Sequence, residues 1–488
     1  MMEVMERIVS FFLSAVLWAA GLLSCVGIGN KPVLTVKKDK NAVPLTGFGV
    51  EWDPMFFRDF NARYVGEEDW ALICRRAGEL GIQKVRMMYL PGWIEPANDN
   101  ADPAVTDLPA FTFDGVDFAS LLRELDACEA LGIEVNLTVW GADRACTPWL
   151  SYPGCEDWLS APNDVEEYAE NISVLLDYLL HTKRYACVKE LTLFNEPDWA
   201  FKNNDSRNAG IGYFEEMCRA VHGRLQRDGL RDNIRLILSD DTYHLGWLKE
   251  NLRRMSGIAD GFNSHTYQFG AEAPLAAMRR WAARCNKAVN QYAPGKPYTH
   301  NEFGSHILDA YHQGDPDAYE NGLGYAMMAA SFLGEGSSGM LKWCFFDQYY
   351  YDGPREDALM ALGLFKYKDE GWAVRPAYHA WGLLMRHTEI GMEIYGIRSC
   401  NPAVSGVAFR SAEGKWVYLI VNADHRHAKT IRVDNAAAGD AIFDRYLYAK
   451  GALPADDAPI APDSTLAAAK GRVCLELPAD SFAILVVL

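Results

Sequence analysis

No Cys-x-x-Cys pair occurs in the 488 residues, and the 11 histidines show no ligand-like spacing. The sequence signatures of a nitrogen- or sulfur-ligated metal are therefore missing, and the reading carries no metal and no cofactor. Positive charge is also short. Against 65 Asp and Glu there are 47 Lys and Arg, a net charge of −18. A phosphate-rich partner needs clustered basic residues, so a nucleic-acid-binding role is excluded. There is no internal repeat, no low-complexity linker and no run of like charge. Past the first 25 residues no apolar run is long enough to span a membrane.

What is present is apolar and aromatic. Hydrophobic residues make up 49% of the chain, with 14 Trp and 23 Tyr. This composition belongs to a globular protein. Its length suits one large domain plus a smaller one. Acidity with many aromatic faces suits a neutral, hydroxyl-rich ligand, although acidity on its own serves solubility first. The oligomeric state is left open.

Residues 8–24 are almost wholly apolar and end in Leu22-Leu23-Ser24-Cys25. The stretch resembles a bacterial lipobox, in which Cys25 would become the lipidated first residue. A cleaved signal peptide and a short uncleaved anchor are the alternatives. Each implies export: a lipoprotein at the periplasm or cell surface, or a secreted protein, touching a membrane only through that segment. Export permits disulfides. Cys146 and Cys155 bracket a short loop and could staple it, whereas Cys74, Cys128, Cys187, Cys218, Cys285 and Cys344 fall in predicted elements and read as buried thiols.

From residue 46 to 386, short apolar runs alternate with stretches of helical spacing. Strands are expected near 46–52, 84–89, 133–140, 191–194, 234–239, 261–267, 296–302 and 339–347. Helices are expected near 67–81, 116–131, 164–182, 210–228, 245–255, 273–290, 316–333 and 376–386. Eight strand–helix units with polar residues at the strand ends predict an α/β fold, a (β/α)8 TIM barrel. From about 387 to 488 the texture changes to short alternating runs separated by turns, the pattern of an antiparallel β-sandwich. A strand at 33–38 is expected to join it.

One stretch organises the functional reading: Leu191-Thr-Leu-Phe-Asn195-Glu196-Pro197-Asp-Trp199. An apolar strand ends in Asn-Glu, and proline stops it. A second carboxylate sits in the same setting at Thr299-His-Asn-Glu302-Phe-Gly. Asn-Glu-Pro after the fourth barrel strand, with Glu ending the seventh, resembles the clan A glycoside hydrolases, which are retaining glycosidases on a (β/α)8 barrel. The resemblance implies Glu196 as acid/base, Glu302 as nucleophile and Asn195 as a contact to the sugar. Arg86 and His265-Thr-Tyr267 resemble features of family 5. Gly47-Phe-Gly49, the stretch around Pro376 and the terminal sandwich are more like families 30 and 39. Trp343 resembles the family's aromatic sugar platform. Asp53, Trp140 and Trp199 fall at or just beyond strand ends and are expected to support substrate binding, and Trp52 is a further rim candidate.

The resemblance implies double displacement at an O-glycosidic bond, one carboxyl protonating the leaving oxygen while the other attacks the anomeric carbon. The alternative is a catalytically silent carbohydrate-binding lipoprotein, which would have no need of both glutamates. A metal-dependent barrel hydrolase would need ligand clusters at strand ends, where only His265 and His300 are available.

Overall fold

The computed structural model describes residues 32–155, 158–304 and 315–488. The leader and Cys25 lie outside them. Eight strands close a parallel barrel: β2 (Gly47–Glu51), β3 (Lys84–Tyr89), β4 (Glu134–Val139), β5 (Val188–Thr192), β6 (Arg235–Asp241), β7 (Gly261–Thr266), β8 (Tyr298–Phe303) and β9 (Gly339–Lys342). Pairing of β9 with β2 completes the ring. Eight helices follow the strands in turn: Glu67–Leu80, Val116–Leu131, Val165–Asp177, Gly210–Arg227, Leu245–Met255, Leu275–Tyr292, Tyr319–Gly334 and Pro376–His387. The TIM-barrel expectation is met, and most helix limits fall within two or three residues of the expected ones.

Local chemistry explains those limits. Gly81 and Gly132 stop their helices at φ +66° and +70°. That left-handed conformation costs glycine little and other residues more. Asp164 starts the helix Val165–Asp177 by accepting the Glu166 and Glu167 amides at 3.0 and 3.3 Å, which satisfies donors a helix start leaves open.

The remaining strands form one nine-stranded sheet: β1 (Val33–Val36), β12 (Glu393–Ser399), β13 (Val404–Arg410), β14 (Trp416–Asn422), β15 (Lys429–Asp434), β16 (Ala441–Tyr448), β17 (Ser464–Ala468), β18 (Arg472–Leu477) and β19 (Ser481–Val487). Their order is β17-β16-β19-β14-β13-β12-β1-β15-β18. Every pairing is antiparallel except β1 with β15. The sheet folds over its own core, in which Tyr418, Ile420 and Leu485 meet Val473 and Leu475. The alternate residues of the same strands, Val417, Leu419, Val421 and Ile484, join the barrel's core instead. Period-2 alternation with both faces apolar thus locks the sheet onto the barrel. Hydrogen bonds reinforce the seam: Tyr319 Oη donates to Asp480 O at 2.7 Å, and Tyr448 Oη to Tyr319 O at 2.8 Å.

Several expectations are corrected. The last barrel strand stops at Lys342 rather than 347, and a hairpin of β10 (Gln348–Tyr349) and β11 (Leu359–Met360) follows. Trp52 is not on the rim. It is fully buried, 5.5 Å from the Trp70 ring and 5.1 Å from Phe345. Cys146 and Cys155 are separate thiols, facing the carbonyls of Glu95 and Asn203 respectively. Cys74 is only half-buried. Among the described residues no helix is long and apolar enough to cross a membrane.

Candidate active site

Each barrel strand delivers at least one residue to the site: Arg86 from within β3, and Glu51, Trp140, Glu196, Asp240, His265, Glu302 and Trp343 from at or near the carboxyl ends of their strands or just past them. Parallel register sets two of the contacts, placing Glu51 beside Arg86 and His265 beside Glu302. Asn195 and Glu196 lie beyond the end of β5, with Glu196 in the left-handed region at φ +50°. Strain of that kind concentrates at functional positions.

Arg86 is the hub. It has no exposed surface, and an unpaired buried guanidinium would be very costly. Nη1 donates to both Glu51 oxygens at 2.8 Å and to Glu302 Oε2 at 3.0 Å. Nη2 donates to Asn195 Oδ1 at 2.7 Å and Asp240 Oδ2 at 2.9 Å. The Trp140 ring lies 4.5 Å from the guanidinium carbon, within cation–π range.

Glu302 is clasped from three sides. Besides Arg86, the Tyr267 hydroxyl donates to Oε1 at 2.5 Å and His265 Nδ1 lies 3.4 Å from Oε2. Burial, then the charge of Glu302, pushes the Tyr267 phenol well up, so it remains a donor. His265 also reaches Glu196 Oε1 at 2.8 Å and, through Nε2, Asp240 Oδ1 at 3.2 Å. Glu196 Oε2 accepts the Trp199 indole N–H at 2.7 Å. One oxygen of Glu196 and one of Glu302 lie within 4.8 Å of each other.

The charges are unevenly shared. Burial alone would make His265 less basic, but the Glu302 and Asp240 carboxylates outweigh it and hold an imidazolium. Burial would raise Asp240; Arg86 and then His265 hold it down at about 2. Glu51 has Arg86 but no second cation, and Asp53 and Glu302 repel it, so burial carries it well above the carboxylate range. Glu302 is raised for the same first reason, although His265 and Arg86 pull the other way. Glu196, His265 and Glu302 also have the spacing of a metal-ligand trio.

Of the residues singled out from sequence, Arg86, Trp140, Asn195, Glu196, Trp199, His265, Tyr267 and Glu302 come together here. Trp343 stands beside them, its ring 6.1 Å from Tyr267 and nearly perpendicular to it. Asp53 does not reach the cluster's open side: it is fully buried, accepting the Met88 amide at 3.0 Å and the Tyr350 hydroxyl. Glu51 and Asp240 were missed. Both end barrel strands, and the buried Arg86 required anionic partners, which is the signal that pointed to them.

Two carboxyl groups whose nearest oxygens come within 4.8 Å of each other can protonate and attack the same bond. Neither a protein-family model nor a curated protein matches the sequence. Solved structures do match. The family 30 endoxylanase of Clostridium papyrosolvens is 14% identical, with a TM-score of 0.65 over 93% of this chain and 99% of that one. Xylanase C of Talaromyces cellulolyticus, also family 30, is 17% identical at 0.65 over 93% and 100%. The family 39 enzyme of Xanthomonas axonopodis pv. citri is 15% identical at 0.60 over 95% and 99%. Barrel and sheet together therefore have the fold of these glycoside hydrolases.

Proposed function

We propose that the protein is a retaining glycoside hydrolase acting on β-O-glycosidic bonds of a poly- or oligosaccharide or a glycoconjugate. The observation that carries this reading is the Glu196–Glu302 approach to within 4.8 Å. Retaining enzymes hold their two carboxyl groups about 5–5.5 Å apart, and inverting ones about 6.5–9.5 Å apart to admit water.

In the first step a Glu302 oxygen attacks the anomeric carbon. The bond to the leaving oxygen breaks, and that oxygen takes the proton carried by Glu196, leaving a glycosyl ester on Glu302. In the second step Glu196 removes a proton from water. The water oxygen attacks the anomeric carbon, the ester bond breaks and Glu302 is regenerated. His265, bonded to Glu196 and close to Glu302, keeps a proton within reach of the acid/base. Tyr267 and Arg86 aim the attacking carboxylate. Arg86 fixes the Asn195 oxygen, which leaves the amide nitrogen to meet a sugar hydroxyl. Trp343 offers an aromatic face to the sugar ring. The apolar leader supports an exported protein, lipidated at Cys25.

The test compares wild type and Glu302→Ala on aryl β-xylosides, β-glucosides and related glycosides, with azide added to the variant. Double displacement predicts loss of turnover and rescue as a glycosyl azide of inverted configuration. Turnover that survives in Glu302→Ala rules the assignment out.

A further inference from the structure

The chain leaving β3 carries Glu95-Pro-Ala-Asn98-Asp99, and it packs against the helix Val165–Asp177 that holds Glu167, Glu170 and Asn171. One oxygen each from Glu95, Asp99 and Glu167 falls within 4.8 Å of the others. Glu170 stands outside this trio and has no exposed surface. Its charge nevertheless acts on both Glu95 and Glu167.

The protein holds two of these carboxylates by one oxygen and leaves the other unpaired. Asp99 Oδ2 accepts from Asn100 Nδ2 at 2.9 Å and from the Asp107 amide at 2.6 Å, while Oδ1 is buried without a partner. Glu170 Oε1 accepts from Thr106 and lies 3.6 Å from Arg224, while Oε2 is buried without a partner. Glu167 Oε2 and the Asn98 amide oxygen are likewise buried and unpaired. Glu95 is pinned by the Asn171 amide at 3.0 Å and the Asp99 amide at 3.3 Å. Among the described residues Arg224 is the one cation paired with the group, through Glu170 Oε1, and it is shared with other partners. Its donors go to Asp228 at 2.6 Å, Pro103 O at 2.6 Å and Thr106 Oγ1 at 2.8 Å.

The Asn98 and Asn171 amides meet Glu167 and Glu95 from the protein side, yet Asp99, Glu167 and Glu170 each keep one buried oxygen without a donor, which is costly in the absence of a positive partner. A hard cation reverses that cost. Calcium takes six to eight oxygens at about 2.3–2.6 Å, so ligands on opposite sides of it stand about 4.6–5.2 Å apart. Magnesium asks for a tighter octahedron and keeps most of its water.

We propose that Glu95, Asn98, Asp99, Glu167 and Glu170 form a calcium site, one that pins the 95–107 segment to the helix Val165–Asp177. This site is separate from the glycosidase centre, and its role is structural. It would act on the mouth through Asn171, whose Oδ1 accepts the hydroxyl of Tyr89 at the end of β3 at 2.8 Å.

The experiment uses the full chain after treatment with a chelator. Calorimetric titration with CaCl2 should give one site per chain, and the thermal midpoint should rise by roughly 2–5 °C. MgCl2 should give a smaller shift. Glu167→Gln/Glu170→Gln, which relieves the carboxylate repulsion and so should still fold, should lose both the binding heat and the calcium-dependent shift. Wild type with no binding heat and no shift overturns the proposal. So does a variant that keeps both.

Discussion

Two charged clusters share the inside of one barrel, and they are built on opposite plans. At the amino-terminal end Lys84, Glu134, Glu190 and Arg235 each begin a strand or sit near its start. Lys84 Nζ donates to Glu190 at 2.7 Å, and Arg235 joins Glu134 at 2.9 Å and Glu190 at 3.1 Å. Two cations meet two carboxyls. Burial would raise Glu190, yet Lys84 and Arg235 hold it below the usual range. At the carboxyl-terminal end four carboxyl groups, Glu51, Glu196, Asp240 and Glu302, share Arg86 and His265. There Glu302 and Glu51 are raised. The balanced end contributes to stability, whereas the anion-rich end holds carboxyl groups in a state folding alone would not choose. That is the usual relation between a scaffold and a reacting site.

Substitutions at either end sharpen this contrast. The largest effect concerns Glu196→Gln, which should lower kcat by about 10²–10⁴ on substrates with poor leaving groups and much less on activated aryl glycosides. Its melting temperature should stay near that of wild type. An equal loss on both substrate classes would remove Glu196 from the acid role. Next, Lys84→Met should leave Glu190 buried beside Arg235 alone and destabilise the fold by about 3–5 kcal/mol in denaturant titrations. The folded fraction should turn over substrate normally.

Tyr267→Phe removes a hydrogen bond to a charged oxygen, an interaction of about 1.5–3 kcal/mol, and should cut kcat/KM by roughly 10–100-fold. The pH profile gives the smallest effect. In the proposed mechanism Glu302 must be ionised to attack, and its folded pKa lies above the usual carboxylate value. Activity should therefore be lost as pH falls through a value higher than an ordinary glutamate's. Because the Tyr267 bond pulls Glu302 down, Tyr267→Phe should move the acid limb of kcat/KM further up. By the same sign, ionised Glu302 costs stability at neutral pH, so Glu302→Gln should melt about 1–3 °C higher than wild type. Neutralising Glu190 at the other end should do the reverse.

The barrel was legible because its signals are local. Cap glycines at 81 and 132, the Asp164 cap and 3.6-residue spacing need no knowledge of distant partners. Polar residues at strand ends marked the mouth in the same way. What escaped depends on pairing across the ring. Glu51 reads as one more residue of an apolar strand, and Asp240 reads as one of two Asp that end a strand. Only the Arg86 geometry makes them partners. Trp52 was misplaced because one step past a strand end the chain turned it inward against Trp70 and Phe345. The carboxylate group at Glu95 and Glu167 was invisible to a search for cysteine and histidine spacing, since its oxygens come from two segments some 70 residues apart.

The most direct test of the glycosidase reading is covalent trapping. The protein is incubated with an activated 2-deoxy-2-fluoro analogue of whichever aryl glycoside it turns over, and the product is analysed by intact and peptide mass spectrometry. The account predicts one glycosyl adduct per chain, carried on the peptide containing Glu302, with activity lost in step. An adduct on another residue, or turnover that proceeds with inversion and without any adduct, would contradict it.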